Sequence, residues 1–231
     1  MFLKMNGFFT YKWVLLFLFV SLIHTHCKQK PATSSGVIEK VEPKANIEIP
    51  GAKRLFDGET LANWESTNFG PQGQVYVSDG AIVLRMGDGP TGITWQGSFP
   101  KENYEVSLEA KRMMGIDFFC GLTFPVKDDF CSFIVGGWAG PVVGLSTIDG
   151  LDASENETTT LMRFNKDEWY KIKLRVTSEK IETWINEEKI VDLPYQGRKI
   201  GIRPEIELSC PLGIATWKTT GAVRNIYLKM L

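Results

Sequence analysis

The stretch from Asp117 to Trp138 constrains this chain more than any other. Two apolar runs, Asp-Phe-Phe-Cys-Gly-Leu-Thr-Phe-Pro and Phe-Cys-Ser-Phe-Ile-Val-Gly-Gly-Trp, flank Val126-Lys127-Asp128-Asp129. Phe, Ile, Val, Thr and Trp suit a pleated, half-buried surface, while Pro125 and Asp128-Asp129 supply turn chemistry. The pattern predicts the central hairpin of a β-sandwich, buried on at least one face. Gly121, Gly136 and Gly137 are unusual inside strands. They mark bulges, tight sheet-on-sheet packing, or the close approach of a backbone or ligand.

The flanking sequence repeats the theme. Val75-Tyr76-Val77 and Ala81-Ile82-Val83-Leu84 bracket Ser78-Asp79-Gly80, a strong hairpin signal. Tyr104, Val106, Leu108 and Ala110 alternate with Glu105, Ser107, Glu109 and Lys111, so one face of that strand meets water. Tyr170, Ile172, Leu174 and Val176 alternate likewise with Lys171, Lys173, Arg175 and Thr177. Ile181 to Asp192 reads as strand, turn at Asn186-Glu187-Glu188, and strand; Val223 to Lys229 closes the chain as a strand. No stretch keeps a helical period over about ten residues. Many short strands at regular spacing predict an all-β sandwich or jelly roll, a fold whose concave sheet can hold an extended polymer.

The N-terminal part is of another kind. Lys4 and Lys12 precede an apolar run, Trp13 to Ile23, that is too short to span a bilayer comfortably. Cys27 follows, then Lys-Gln-Lys. Residues 1–26 resemble a bacterial lipoprotein signal with Cys27 as the lipidated residue; simple secretion and an uncleaved anchor are the other readings. Residues 27–50 are rich in Pro, Ser, Lys and Glu and carry too little apolar surface for a core, which predicts a flexible linker. The folded domain is expected over residues 51–231. The chain is then exported to the periplasm or cell envelope and meets the membrane only through its lipid.

Charge and histidine usage exclude several functions. The 231 residues carry a formal net charge of −1, against the basic stripe of a nucleic-acid binder. The two histidines are His24 and His26. Removal of the signal leaves a domain without histidine, which excludes a Ser-His-Asp triad, a Cys-His pair and His-ligated zinc. Catalysis must then use carboxylates, Lys, Tyr, Cys, Arg or a metal held by oxygens.

The segment Leu55-Phe56-Asp57-Gly58-Glu59-Thr60-Leu61-Ala62-Asn63-Trp64 resembles the opening signature of the 3-keto-disaccharide hydrolase domain family. Gly213-Ile214 and Val223-Arg224-Asn225-Ile226-Tyr227-Leu228-Lys229 resemble that family's closing strands, so the likeness spans roughly residues 51–231. It implies a concanavalin A-like jelly-roll β-sandwich, bacterial export, and action on glycosides whose sugar bears a 3-keto group. Two elements differ. Where many members carry Asn-Ser-Gly, this chain reads Gly115-Ile116-Asp117-Phe118-Phe119-Cys120-Gly121, and where many carry Gln-Asp-His-Gly it reads Ala215-Thr216-Trp217-Lys218.

Candidate chemistry rests on carboxylates and aromatics. Glu205 and Glu207 alternate in Arg203-Pro-Glu-Ile-Glu-Leu-Ser. On a strand they would share one face, about 6.5–7 Å apart along the backbone, a spacing of interest because glycosidases set two carboxylates across the scissile bond; a structural ion pair with Arg203 is the plainer reading. Asp117 opens the central hairpin beside Phe118, where a half-buried carboxyl could act as an acid, or be a turn residue. Trp95, Trp138 and Trp217 are candidate sugar-stacking platforms, each weighed against core packing. Asp149 and Asp152, in a polar loop with Glu155, Asn156 and Glu157, could contact sugar hydroxyls or hold calcium, but lack the fixed spacing of an EF-hand loop. Arg163 is a ligand clamp or a cross-strand partner. Cys120 and Cys131, in adjacent hairpin strands, allow a disulfide or two buried thiols.

These readings converge on an exported carbohydrate-active protein, with one of Asp117, Glu205 or Glu207 as acid or base. A non-catalytic carbohydrate-binding module on the envelope is the main alternative. A structural domain that engages another envelope protein is the third.

Overall fold

The computed structural model describes residues 49–231. The expected signal segment, Cys27 and most of the linker lie outside the described residues. Two antiparallel sheets face each other. The strands, in chain order, are β1 (Ala52–Arg54), β2 (Trp64–Ser66), β3 (Val75–Ser78), β4 (Ala81–Leu84) and β5 (Pro90–Trp95). Next come β6 (Tyr104–Met114), β7 (Cys120–Val126), β8 (Asp129–Gly137), β9 (Val142–Ser146) and β10 (Thr160–Leu161). The last are β11 (Tyr170–Val176), β12 (Lys180–Ile185), β13 (Glu188–Pro194), β14 (Gly213–Trp217) and β15 (Thr220–Met230). One sheet runs β13-β12-β11-β6-β15-β4-β3, with β1 added to β15; the other runs β10-β9-β8-β7-β14-β5-β2. This is the expected all-β jelly-roll sandwich. Among the described residues no helix is long and apolar enough to cross a membrane.

Alternation builds the core. In β6, Tyr104, Val106, Leu108 and Ala110 are buried while the residues between them are partly exposed. They face Leu122, Phe124, Phe133 and Leu145 of the other sheet in one apolar cluster. Burial of each Val, Leu or Phe side chain among them is worth about 1.5–3 kcal/mol. The Tyr104 hydroxyl donates to Pro125 O at 2.6 Å and so ties the two sheets together.

Turns fall where the residue types allow. Asp79 and Gly80 both have positive φ between β3 and β4, as do Asn186 and Glu187 between β12 and β13. Two consecutive left-handed residues match the twist of a tight hairpin. The central hairpin pairs Val126 with Asp129 around Lys127 and Asp128. Pro125 belongs to β7 rather than to the turn. Its missing N–H is tolerated because β14 pairs with β7 only as far as Thr123. At Gly136, with φ +79, the register between β8 and β9 shifts, which is a bulge.

The segment Arg203-Pro-Glu-Ile-Glu-Leu-Ser corrects the expectation of a strand. Pro204–Ser209 is a 3-10 helix, with Pro204 in its first turn where a missing N–H has no consequence. Ile206 and Ser209 are buried and Glu205, Glu207 and Leu208 are not, a spacing of three that fits 3-10 geometry. The helix and the loop after β9 cover the outer face of the second sheet. Thr94 Oγ1 donates to Leu208 O, and Asn156 Nδ2 donates to Leu145 O at 2.8 Å.

Candidate functional site

The loops that cover this outer face leave a cavity of about 220 Å³. Asp117, Phe118, Ile134, Trp138, Arg203, Glu205, Ile206 and Trp217 line it. Asp117 and Phe118 come from the β6–β7 connection, Ile134 from β8 and Trp217 from the end of β14. Phe118 packs on a small apolar cluster of Ile134, Val142 and Ala153, separate from the main core. A Cβ on Gly121 would come within 3.0 Å of the Phe118 ring, so the glycine makes room for it.

Asp117 is held by backbone contacts. Its own N–H donates to Thr219 Oγ1 at 3.1 Å, and Oδ1 accepts from Phe118 N at 2.8 Å. Oδ2 faces Ala139 N at 3.5 Å. Trp217 N donates to Phe118 O at 3.1 Å, which fastens one aromatic wall to the other.

Trp138 occupies an unusual position. It and Ala139 have φ of 49° and 64°, and Gly140 N closes the turn on Gly137 O at 3.0 Å. Left-handed backbone at a bulky residue costs about 1–2 kcal/mol. The turn nevertheless presents the indole outward, with 38% of Trp138 exposed.

Arg203 closes the other side. Nη2 and Nε donate to Glu205 at 2.9 and 3.3 Å, and Nη1 donates to Asp152 Oδ2 at 2.5 Å. The Arg203 contact holds the Glu205 carboxyl below the usual carboxylate range. The side chain of Arg203 is still 42% exposed and can meet a ligand oxygen.

The cavity thus brings together Asp117, Glu205, Trp138, Arg203 and Trp217. The other candidates lie elsewhere. Trp95 is 4% exposed and packs edge-to-face on Trp64 at 5.3 Å, so it is a core residue rather than a stacking platform. Glu207 is exposed on the 3-10 helix and does not line the cavity with Glu205, because residues two apart diverge on a helix and converge only on a strand. Asp149 accepts from Lys199 N at 2.8 Å and Arg198 Nε at 2.6 Å, and Glu157 pairs with Arg198. Asp152 stands behind Arg203 and also accepts from Ser146 Oγ. Asn156 bonds the backbone of its own loop. The polar loop is therefore a folded cover in which Asp149, Asp152 and Glu157 are engaged by arginines, and the described residues contain no group of three or more His, Cys, Asp or Glu placed to hold a metal. Arg163 is exposed and away from the cavity. Cys120 and Cys131 are buried free thiols, opposite Val135 and Phe124 rather than each other.

The sequence reading missed Ile134, Ile206 and Arg112. Continuing the inward row of β6 by one position beyond Ala110 reaches Arg112, a cation where the pattern calls for an apolar residue. It is buried under the Trp138 turn, and burial lowers its pKa.

A family model described as the 3-keto-alpha-glucoside-1,2-lyase-like domain matches residues 51–229, in agreement with the resemblance seen at Leu55–Trp64 and in the last strands. The opening signature is structural: Asp57 accepts from the N–H groups of Glu59 and Thr60, Trp64 Nε1 donates to Leu55 O, and none of it lines the cavity. No curated protein matches the chain in sequence. Among solved structures, the apo Crh5 transglycosylase superposes with a TM-score of 0.54 at 13% identity, covering 78% of this chain and 83% of that one. A protein of unknown function with a galectin-like fold from Bacillus subtilis gives 0.52 at 11%, covering 74% and 90%. The carbohydrate binding module CBM66 from Bacillus subtilis gives 0.50 at 12%, covering 72% and 95%. At such identities the likeness establishes the fold alone.

Proposed function

The chain belongs to the 3-keto-alpha-glucoside-1,2-lyase-like domain family, and on that premise we propose that its cavity binds 3-keto-glycosides and breaks their glycosidic bond by elimination. One observation carries this reading: the cavity holds a single carboxylate, Asp117, outside any ion pair found among the described residues, whereas Glu205 is neutralised by Arg203. Hydrolysis by two carboxylates needs a pair, one of them to protonate the leaving oxygen. Elimination needs one base.

The substrate's chemistry supplies the rest. A carbonyl at C3 acidifies the hydrogen at C2 and places the C1–O bond β to it. Asp117 takes the C2 proton as general base. The electron pair is held as an enolate on the C3 oxygen, which the Arg203 cation stabilises. It then forms C1=C2, the C1–O bond breaks, and the leaving oxygen takes a proton from water while Asp117 returns its own to the solvent. Addition of water to the resulting enone would complete a net hydrolysis. Trp138, Trp217 and Phe118 offer ring faces to the apolar face of the sugar. The reading includes export and tethering through Cys27, supported by residues 1–27 alone.

The committed state of Glu205 also favours a second reading, a carbohydrate-binding module without turnover. Incubation with a 3-keto-disaccharide, with and without calcium, separates the two. Release of monosaccharide that Asp117→Asn abolishes supports the enzyme. Saturable binding without release supports the module and retires the elimination.

A further inference from the structure

Arg112 ends the inward row of β6 after Tyr104, Val106, Leu108 and Ala110. It is 9% exposed, and none of the ion pairs among the described residues includes it. Its guanidinium lies 5.3 Å from the centroid of the Phe119 ring. One Nη donates to Gly140 O at 3.3 Å, and Nε has no hydrogen-bond partner among the described residues. A desolvated guanidinium with so few acceptors is a poor choice for stability alone.

Its surroundings show what it does hold. A Cβ on Gly136 would lie 3.1 Å from Nη2, and a Cβ on Gly140 would lie 3.1 Å from Nη1. The guanidinium is therefore clasped between the two ends of the turn that presents Trp138. Gly136 and Gly140 have φ of +79 and +114, so the same residues allow both the turn and the clasp. Asp117 stands across this turn, its Oδ2 toward Ala139 N.

We propose that Arg112 is a positioning residue of the cavity: from inside the sandwich it fixes the Gly136–Pro141 turn, and so sets where Trp138 stands and where the Ala139 N–H meets Asp117. The effect on ligands rests on the reading of this cavity as the sugar site. Arg112 touches no ligand itself.

The test compares full-length wild type, Arg112→Met and Arg112→Lys. Amide hydrogen exchange is read at residues 137–140 and in β11 and β12, and KM and kcat are read on a 3-keto-disaccharide. The loss of a charged hydrogen bond predicts roughly tenfold or faster exchange at Ala139 and Gly140 in Arg112→Met, with β11 and β12 unchanged. KM should rise more than kcat falls, and Arg112→Lys should recover part of both. If Arg112→Met does not fold, Arg112→Lys alone carries the comparison, with exchange at 137–140 raised over wild type and β11 and β12 unchanged. Unchanged exchange at 137–140, or exchange raised equally in β11 and β12, overturns the proposal. A wild type that neither binds nor converts the sugar overturns the reading of the cavity instead, and the exchange data then decide the clasp by themselves.

Discussion

Arg203 and Glu205 hold each other by two hydrogen bonds, at 2.9 and 3.3 Å, on the rim of an aromatic cavity. A carboxylate so engaged is a weak base and a poor acid. Asp117, which accepts backbone N–H groups and forms no ion pair among the described residues, is the group left for proton transfer on the proposed reading. Asp117→Asn should therefore lower kcat by about 10²–10⁴-fold. Glu205→Gln should cost less than about tenfold, since it frees Arg203 without removing the base. Equal losses in the two variants would mean that both carboxylates act.

On the proposed reading, Trp138 and Trp217 contribute to sugar binding through their faces. Either one changed to Ala should weaken sugar binding by roughly 2- to 12-fold, in line with about 0.5–1.5 kcal/mol per aromatic contact. Titration calorimetry with an unreactive glycoside reads this directly. Trp95→Phe should leave affinity unchanged and lower Tm, because Trp95 is part of the core.

Acid stability should depend on Glu182. Burial pushes its pKa up, but hydrogen bonds from Lys189 at 2.6 Å and Lys180 at 2.9 Å outweigh that and leave it lowered. A lowered carboxyl contributes stability in full above its unfolded value, about 4.3, and loses it as pH falls through the folded one. Glu182→Gln should cost about 1–3 kcal/mol at pH 7. The gap between variant and wild type in thermal melts should narrow below about pH 4. A gap that is constant with pH would assign the effect to packing.

The core thiols should be inert. Burial pushes Cys120 and Cys131 up to about 12, and no disulfide joins them. A thiol reagent at pH 8 should label neither until the protein unfolds. Fast labelling of either in the folded state would place it at the surface.

Most of the sandwich could be read from alternation, because a strand with one wet face writes its orientation at every second residue. The rows Tyr104–Ala110 and Tyr170–Val176 are of this kind, and so are the turns at Asp79-Gly80 and Asn186-Glu187. The site was only partly legible. Glu-Ile-Glu alternates as a strand does, and only its neighbours Pro204 and Ser209 point to a 3-10 helix, which separates Glu207 from Glu205. Trp95 and Trp138 look alike in sequence, yet Trp95 points inward from β5 into the main core while Trp138 sits on the turn after β8. Asp149 and Asp152 look like free acids until the fold brings Arg198 and Arg203, 49 and 51 residues further on, against them. Arg112 was within reach as the polar residue at the next inward position of an apolar row.

Everything in the proposed elimination turns on Asp117 removing the proton at C2. The most direct measurement follows a 3-keto-glucoside deuterated at C2 while the alcohol is released. Elimination by Asp117 requires loss of the deuterium to solvent together with an ultraviolet-absorbing enone, both absent with Asp117→Asn. Release of the alcohol with deuterium retained at C2 would contradict it.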